Sequence, residues 1–146
     1  MLFRSAVLPP GTPAPAHSIA VVNTDARGEQ VASLRAGLMR LANTPCIGAF
    51  AWPVDHPFVT LETLLAVLDA AQRTGAPIVR PEYHATHGVT HGHPVFFHRN
   101  TWRELMTVSA GGARAVVHAY GARAISVPVR DAGVVRNVDT RADLAR

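Results

Sequence analysis

The sequence contains no lysine; all 14 of its lysine-or-arginine positions are arginine. No Schiff base and no lysine phosphate clamp can therefore come from these 146 residues. The arginines are scattered from Arg4 to Arg146 without a cluster. Nucleic-acid readers gather their charge on one face or stripe, so the net charge of +4 does not point to a nucleic-acid partner, and with so many alanines it reads as codon bias. A single cysteine, Cys46, excludes an intrachain disulfide and points to a reducing cytoplasm. Beside Pro45 it reads as a small packed residue and not as a nucleophile. The longest apolar runs are about five to eight residues and are broken by Pro, Asp or Gly, whereas a membrane span needs about 20.

The chain is 48% hydrophobic, enough for one domain with a true core and too short for two comfortable ones. Met1–Ser5 is not followed by the apolar stretch of a signal peptide and reads as an assembly scar ahead of the natural chain. The Pro-, Ala- and Gly-rich residues up to His17 have no periodicity. Residues 1–17 are thus expected to be irregular and 18–146 to form the domain.

Ser18–Val22 is a short apolar run expected as a buried strand, with a loop from Asn23 to Gly28. Val31, Leu34, Leu38 and Leu41 recur at helical spacing, so Gln30–Leu41 is expected to be a helix. Ile47–Trp52 reads as a second buried strand, and Pro53 and Pro57 bracket the loop that holds Asp55. Leu61, Leu64, Leu65, Leu68 and Ala71 form a helical stripe stopped by Gly75. Pro77–Arg80 is a strand, Glu82–Gly92 a loop rich in Gly and His, and Val95–Phe97 a further strand. Thr101 and Glu104 have capping-box spacing before a short helix, and another helix follows Gly111-Gly112. Ala124–Val129 reads as a strand, and the last residues as a brief strand turning into a terminal helix. The alternation predicts an α/β fold, a three-layer α/β/α sandwich with a mostly parallel sheet. In such sheets ligands bind beyond the carboxyl ends of the strands.

Asp55 stands at one strand end and Asp139 at another. Hard divalent cations such as Mg²⁺ take one or two carboxylates together with substrate phosphates. Two strand-end acids brought together would suit that. The alternative is structural: Asp55 as a turn former before Pro57, and Asp139 as an N-cap before the last helix.

Five segments in order resemble the MobA-like nucleotidyltransferases: "VVNTDARGEQVASLRAGL", "PVDHPFVTLETLLAVL", "GHPVFFHRNTWREL", "GGARAVV" and "DAGVVRNVDTRADL". The resemblance implies a Rossmann-like nucleotidyltransferase fold without its first strand and loop. Asp55, in the Asp-x-Pro segment, would be the principal Mg²⁺ ligand, and Asp139 the second carboxylate. Asn23 and Ser33 would lie near the base or ribose of the nucleotide, and Gly92 and His93 near the acceptor. The activity implied is transfer of a nucleoside monophosphate from an NTP, CTP or GTP, to molybdopterin or a sugar phosphate, with release of pyrophosphate.

Two departures stand out. Asn137 replaces an aspartate found in many members two residues before the Asp-Thr pair. The family's opening Gly-rich loop, which cradles the triphosphate with backbone N–H groups and an Arg and a Lys, has no counterpart in "AVLPPGTPAPAH". The expectation is a gene truncated at its amino terminus and a chain inactive as written. Two other readings stay open: a non-catalytic nucleotide-binding or interaction module, and a metal-binding protein built on His84, His87, His91, His93 and His98. For those imidazoles, exposed loop positions are the simpler account.

Overall fold

The computed structural model describes residues 4–25 and 30–145. Its strands are β1 (Ser5–Leu8), β2 (Ile19–Val22), β3 (Gly48–Ala51), β4 (Ile78–Ala85), β5 (Gly88–His91), β6 (Val95–His98) and β7 (Ala124–Val129). The helices are α1 (Gln30–Leu41), α2 (Leu61–Thr74), α3 (Trp102–Thr107) and α4 (Gly112–Tyr120). The mixed α/β class is as expected. The chain divides into two compact units, Met1–Cys46 with Trp102–Val116, and Ile47–Thr101 with Val117–Arg146.

In the first unit β1 and β2 run parallel, with Ser5 opposite Ile19 and Leu8 opposite Val22. Residues 5–8 are therefore a strand, which corrects the expectation of an irregular segment over 1–17. The prolines and glycines after Leu8 hide this short apolar run in the composition. β2 is mostly exposed and not buried. α1 packs on this ladder where Gly37 approaches Val7, and it buries Val31 and Leu38. The Arg35 guanidinium donates to the carbonyls of Leu105 (3.0 Å) and Val108 at the carboxyl end of α3. Cations are favoured there because the last carbonyls of a helix have no partner within it.

In the second unit β6 and β5 take successive halves of one edge of β4, and β7 takes the other. β3 pairs antiparallel with β6, and β6 with β4, so β3, β4 and β7 share one direction. Residues 82–91 form the β4–β5 hairpin and not a loop. β5 is exposed throughout, so no apolar alternation announces it. α2 begins at the Thr60 N-cap, whose hydroxyl accepts from the Thr63 N–H, and ends at Gly75, left-handed at φ 62°. Its inner face buries Val67, Ala70 and Ala71 with Val79 and Phe96, and Phe50 packs edge-on to Phe96 at 5.4 Å. At the turn into α3 the Thr101 hydroxyl donates to the His98 carbonyl at 2.8 Å. The brief strand expected from Asn137 does not form, and the expected terminal helix is a short 3₁₀ helix, Arg141–Ala145; another, Ala132–Val134, follows β7.

Candidate functional site

Because β3, β4 and β7 are co-directional, the loops after them gather at one rim of the sheet. The loop after β3 carries Asp55. Pro53 starts it, and a turn closes where the His56 N–H donates to the Pro53 carbonyl at 3.2 Å. The Trp52 indole N–H donates to the His56 carbonyl at 2.8 Å. β6 enters from the same rim, since Val95 lies opposite Ala51, and this puts Gly92 and His93 beside that loop. The Gly92 N–H donates to the Pro81 carbonyl at 3.0 Å, and the His93 N–H to the Val134 carbonyl at 2.8 Å. A side chain at Gly92 would place its Cβ 2.3 Å from the Val134 carbonyl oxygen. Glycine is required there by the approach of another backbone.

The chain from β7 returns to the same place. The Val138 N–H donates to the Asp55 carbonyl oxygen at 2.8 Å, so Asp139 stands one residue from a direct link to the Asp55 loop. Asp139 is exposed and Asp55 half-buried. Among the described residues neither carboxylate has a side-chain hydrogen bond or an ion pair. The terminal turn is organised by another acid: the Thr140 N–H and hydroxyl donate to Asp143 at 2.9 and 2.8 Å. The Thr140 hydroxyl, first of all, holds the Asp143 carboxyl below the usual range. The cap that Asp139 was an alternative candidate for is thus supplied by Asp143 reaching back to Thr140, in the manner of a capping box.

His56 and His93 lie with ring centroids 4.8 Å apart. His56 is buried, and the Nδ1 atoms of both rings are buried without a hydrogen-bond partner among the described residues. Burial pushes the His93 imidazole below the usual range, and proximity to His56 adds to this, while Asp55 and the Ala51 carbonyl act in the opposite sense. In the other unit, Asn23 and Ser33 meet directly. The Asn23 Nδ2 donates to the Ser33 Oγ at 3.0 Å, and its Oδ1 accepts from the Asp25 N–H at 2.9 Å.

The two carboxylates, uncommitted to hydrogen bonds among the described residues, suit a hard divalent cation that completes its shell with water and phosphate oxygens. Among the described residues no three His, Cys, Asp or Glu side chains form a group that could hold a metal by themselves. In the hairpin, His84 and His91 instead face one carboxylate, with their Nε2 atoms 2.8 and 3.4 Å from the two Glu82 oxygens.

Asp131 was not among the expected site residues. It accepts hydrogen bonds from the Thr60 N–H, the Thr60 and Thr63 hydroxyls, and the Gly133 N–H. Burial opposes its ionisation, but those bonds outweigh burial and hold the carboxyl below the usual range. A folded-state shift downward means that the unfolded chain binds the proton more readily, so stability falls with falling pH. For His93 the loss is expected from about pH 6.5 downward, and for Asp131 from about pH 4 downward. Thermal unfolding followed from pH 8 to pH 3 in chelator is expected to show both losses, with His93→Gln removing the first and Asp131→Asn the second. Parallel curves for wild type and variants would contradict this assignment.

Residues 8–124 match the MobA-like NTP transferase domain. Among solved structures, Rv0371c from Mycobacterium tuberculosis H37Rv superposes with a TM-score of 0.72 at 28% identity, over 92% of this chain and 66% of that one. Its homolog from Mycobacterium sp. strain JC1 gives 0.70 at 19% identity, over 91% and 64%. The chain thus spans slightly less than two thirds of the length of these two relatives. A complex of Rv0371c with manganese gives 0.66 at 29% identity, over 92% and 68%. The 2-C-methyl-D-erythritol 4-phosphate cytidylyltransferase of Thermus thermophilus gives 0.66 at 19% identity, over 95% and 76%, a likeness of fold. No curated protein sequence matches significantly. No helix among the described residues is long and apolar enough to cross a membrane.

Proposed function

The chain belongs to the MobA-like NTP transferase domain family, and from that premise we propose that it carries the metal-binding and acceptor-binding parts of a nucleotidyltransferase. The reaction joins an oxygen of an acceptor phosphate to the α-phosphorus of an NTP. The bond from that phosphorus to the bridging oxygen of the β-phosphate breaks, and pyrophosphate leaves with the electron pair. Catalysis of this kind is mostly positioning and charge neutralisation. The observation that supports the reading is the hydrogen bond from the Val138 N–H to the Asp55 carbonyl, which ties the residue before Asp139 to the loop of Asp55 from a distant part of the chain.

Asp55 and Asp139 would hold a divalent cation, Mg²⁺ or Mn²⁺, whose contribution when bound is to neutralise phosphate charge. The Asn23–Ser33 pair offers a carboxamide and a hydroxyl to the base or ribose. Gly92 lets the chain pass close to Val134 and so presents His93 to the acceptor, a molybdopterin or a sugar phosphate. CTP or GTP is the proposed donor, and the cytoplasm the proposed location. With no lysine and no Gly-rich triphosphate loop in residues 1–146, this chain by itself should release pyrophosphate at close to the background rate. A fusion that adds a family Gly-rich loop ahead of Ser5 is expected to release it from CTP or GTP, with acceptor and only with Mg²⁺ or Mn²⁺. Equal release from the fusion in chelator would refute the proposal.

A further inference from the structure

We propose that Asp131 is the positioning residue of this site, a carboxylate that touches neither metal nor substrate but sets the loop that joins its two halves. The inference rests on the reading of Asp55, Asp139 and His93 as site residues, and it names a residue which that reading leaves without a role.

The bonding of Asp131 is divided between two elements. Its Oδ2 accepts from the Thr60 N–H at 2.8 Å, the Thr60 hydroxyl at 3.0 Å and the Thr63 hydroxyl at 2.8 Å, all at the start of α2. Its Oδ1 accepts from the Gly133 N–H at 2.8 Å and so turns the chain after β7. One side chain therefore rivets the loop 131–138 to the first turn of α2. Glycine at 133 is needed for the same closeness, because a Cβ there would lie 2.3 Å from the Phe58 carbonyl oxygen.

From that rivet the loop makes each contact that assembles the site. The Val134 carbonyl takes the His93 N–H at 2.8 Å, and the Val138 N–H reaches the Asp55 carbonyl at 2.8 Å. Between them the Arg136 guanidinium lies 3.9 Å over the Phe58 ring. The acceptor side and the metal side are thus hung on one segment whose origin is set by Asp131. A carboxylate suits this position because all four incoming groups are donors. An amide would turn its NH₂ toward one of the two backbone donors, the Thr60 or the Gly133 N–H, and lose that bond.

The test is amide hydrogen exchange, which reads geometry without requiring turnover, on Asp131→Asn and on the milder Thr63→Val, which removes one of the four bonds. Val67→Ala, in the buried face of α2, is the control for general destabilisation. In Asp131→Asn the His93 and Val138 amides are expected to exchange about tenfold faster or more, by local opening, with Thr63→Val smaller in the same direction. Val67→Ala should leave their rates relative to the β4 amides unchanged. Mn²⁺ affinity, titrated by the electron paramagnetic resonance of the free ion, should fall about 10- to 100-fold in Asp131→Asn, as for other residues that orient ligands, and hold in Val67→Ala. Acceleration confined to the first turn of α2, with His93 and Val138 still protected, would overturn the proposal and leave Asp131 as a helix anchor. Unchanged Mn²⁺ affinity in Asp131→Asn would overturn it too, if Asp55→Asn loses the ion. If Asp55→Asn keeps the ion, the metal reading fails, and the exchange rates alone decide whether Asp131 sets the loop.

Discussion

Asp55→Asn is expected to weaken Mn²⁺ binding by more than about 100-fold, beyond the range of residues that only orient a ligand. The substitution keeps the size and shape of the side chain and removes its charge. The bond that holds the loop, from the Val138 N–H to the residue 55 carbonyl, is a backbone bond and stays. The fold should therefore persist, with Tm little changed, while the ion loses its principal anion. Asp139→Asn is expected to be milder, because this side chain is exposed and a hard cation readily replaces one carboxylate with water. In the fusion that carries a Gly-rich loop, Asp55→Asn should lower pyrophosphate release by about 10²-fold or more, a typical cost of removing one group that stabilises developing charge. Equal Mn²⁺ affinity in wild type and Asp55→Asn would remove the metal role from this residue.

Gly92→Ala should cause a large loss of stability. The new Cβ would meet backbone atoms, the Val134 carbonyl oxygen at 2.3 Å and its carbon at 2.7 Å. A flexible side-chain tip could swing aside, but this backbone is held at Gly133 by Asp131 and at Val138 by Asp55. The Gly92 N–H, donating to the Pro81 carbonyl at 3.0 Å, prevents retreat on the other side. Overpacking of this kind costs about 1–3 kcal/mol or more, and at this chain length each kcal/mol is worth roughly 2–4 °C of Tm. The calorimetric Tm should fall accordingly, and the His93 amide, parted from the Val134 carbonyl, should exchange faster. An unaltered Tm with an unaltered His93 amide would mean that the two backbones are further apart than described.

The legible parts of the fold were those written in local patterns. The stripes Val31-Leu34-Leu38-Leu41 and Leu61-Leu64-Leu65-Leu68 lie on helices with the expected bounds, and Gly75 ends the second of them in the left-handed conformation. Strands whose residues do not alternate were harder to see. β5 is exposed on both faces and reads as a loop, while β1 is four residues followed by two prolines. Burial was the least legible property. The apolar run of β2 is mostly exposed, because exposure depends on what packs against a strand and not on the strand itself. Asn23 bonds to Ser33, and the His93 ring lies 4.8 Å from that of His56 in the loop of Asp55, meetings that no local pattern announces. Asp131 carried no signal, since its partners Thr60 and Thr63 lie 71 and 68 residues away.

By itself the sequence determined the α/β class, the main helices and the family, because these depend on composition and on patterns a few residues long. Only the tertiary structure decided that residue 138 bonds to residue 55, that Val134 leaves no room at Gly92, and that Asp131 rivets the loop between them. Each of those depends on groups far apart in the chain meeting within hydrogen-bond or van der Waals distance, and no local preference specifies such a meeting.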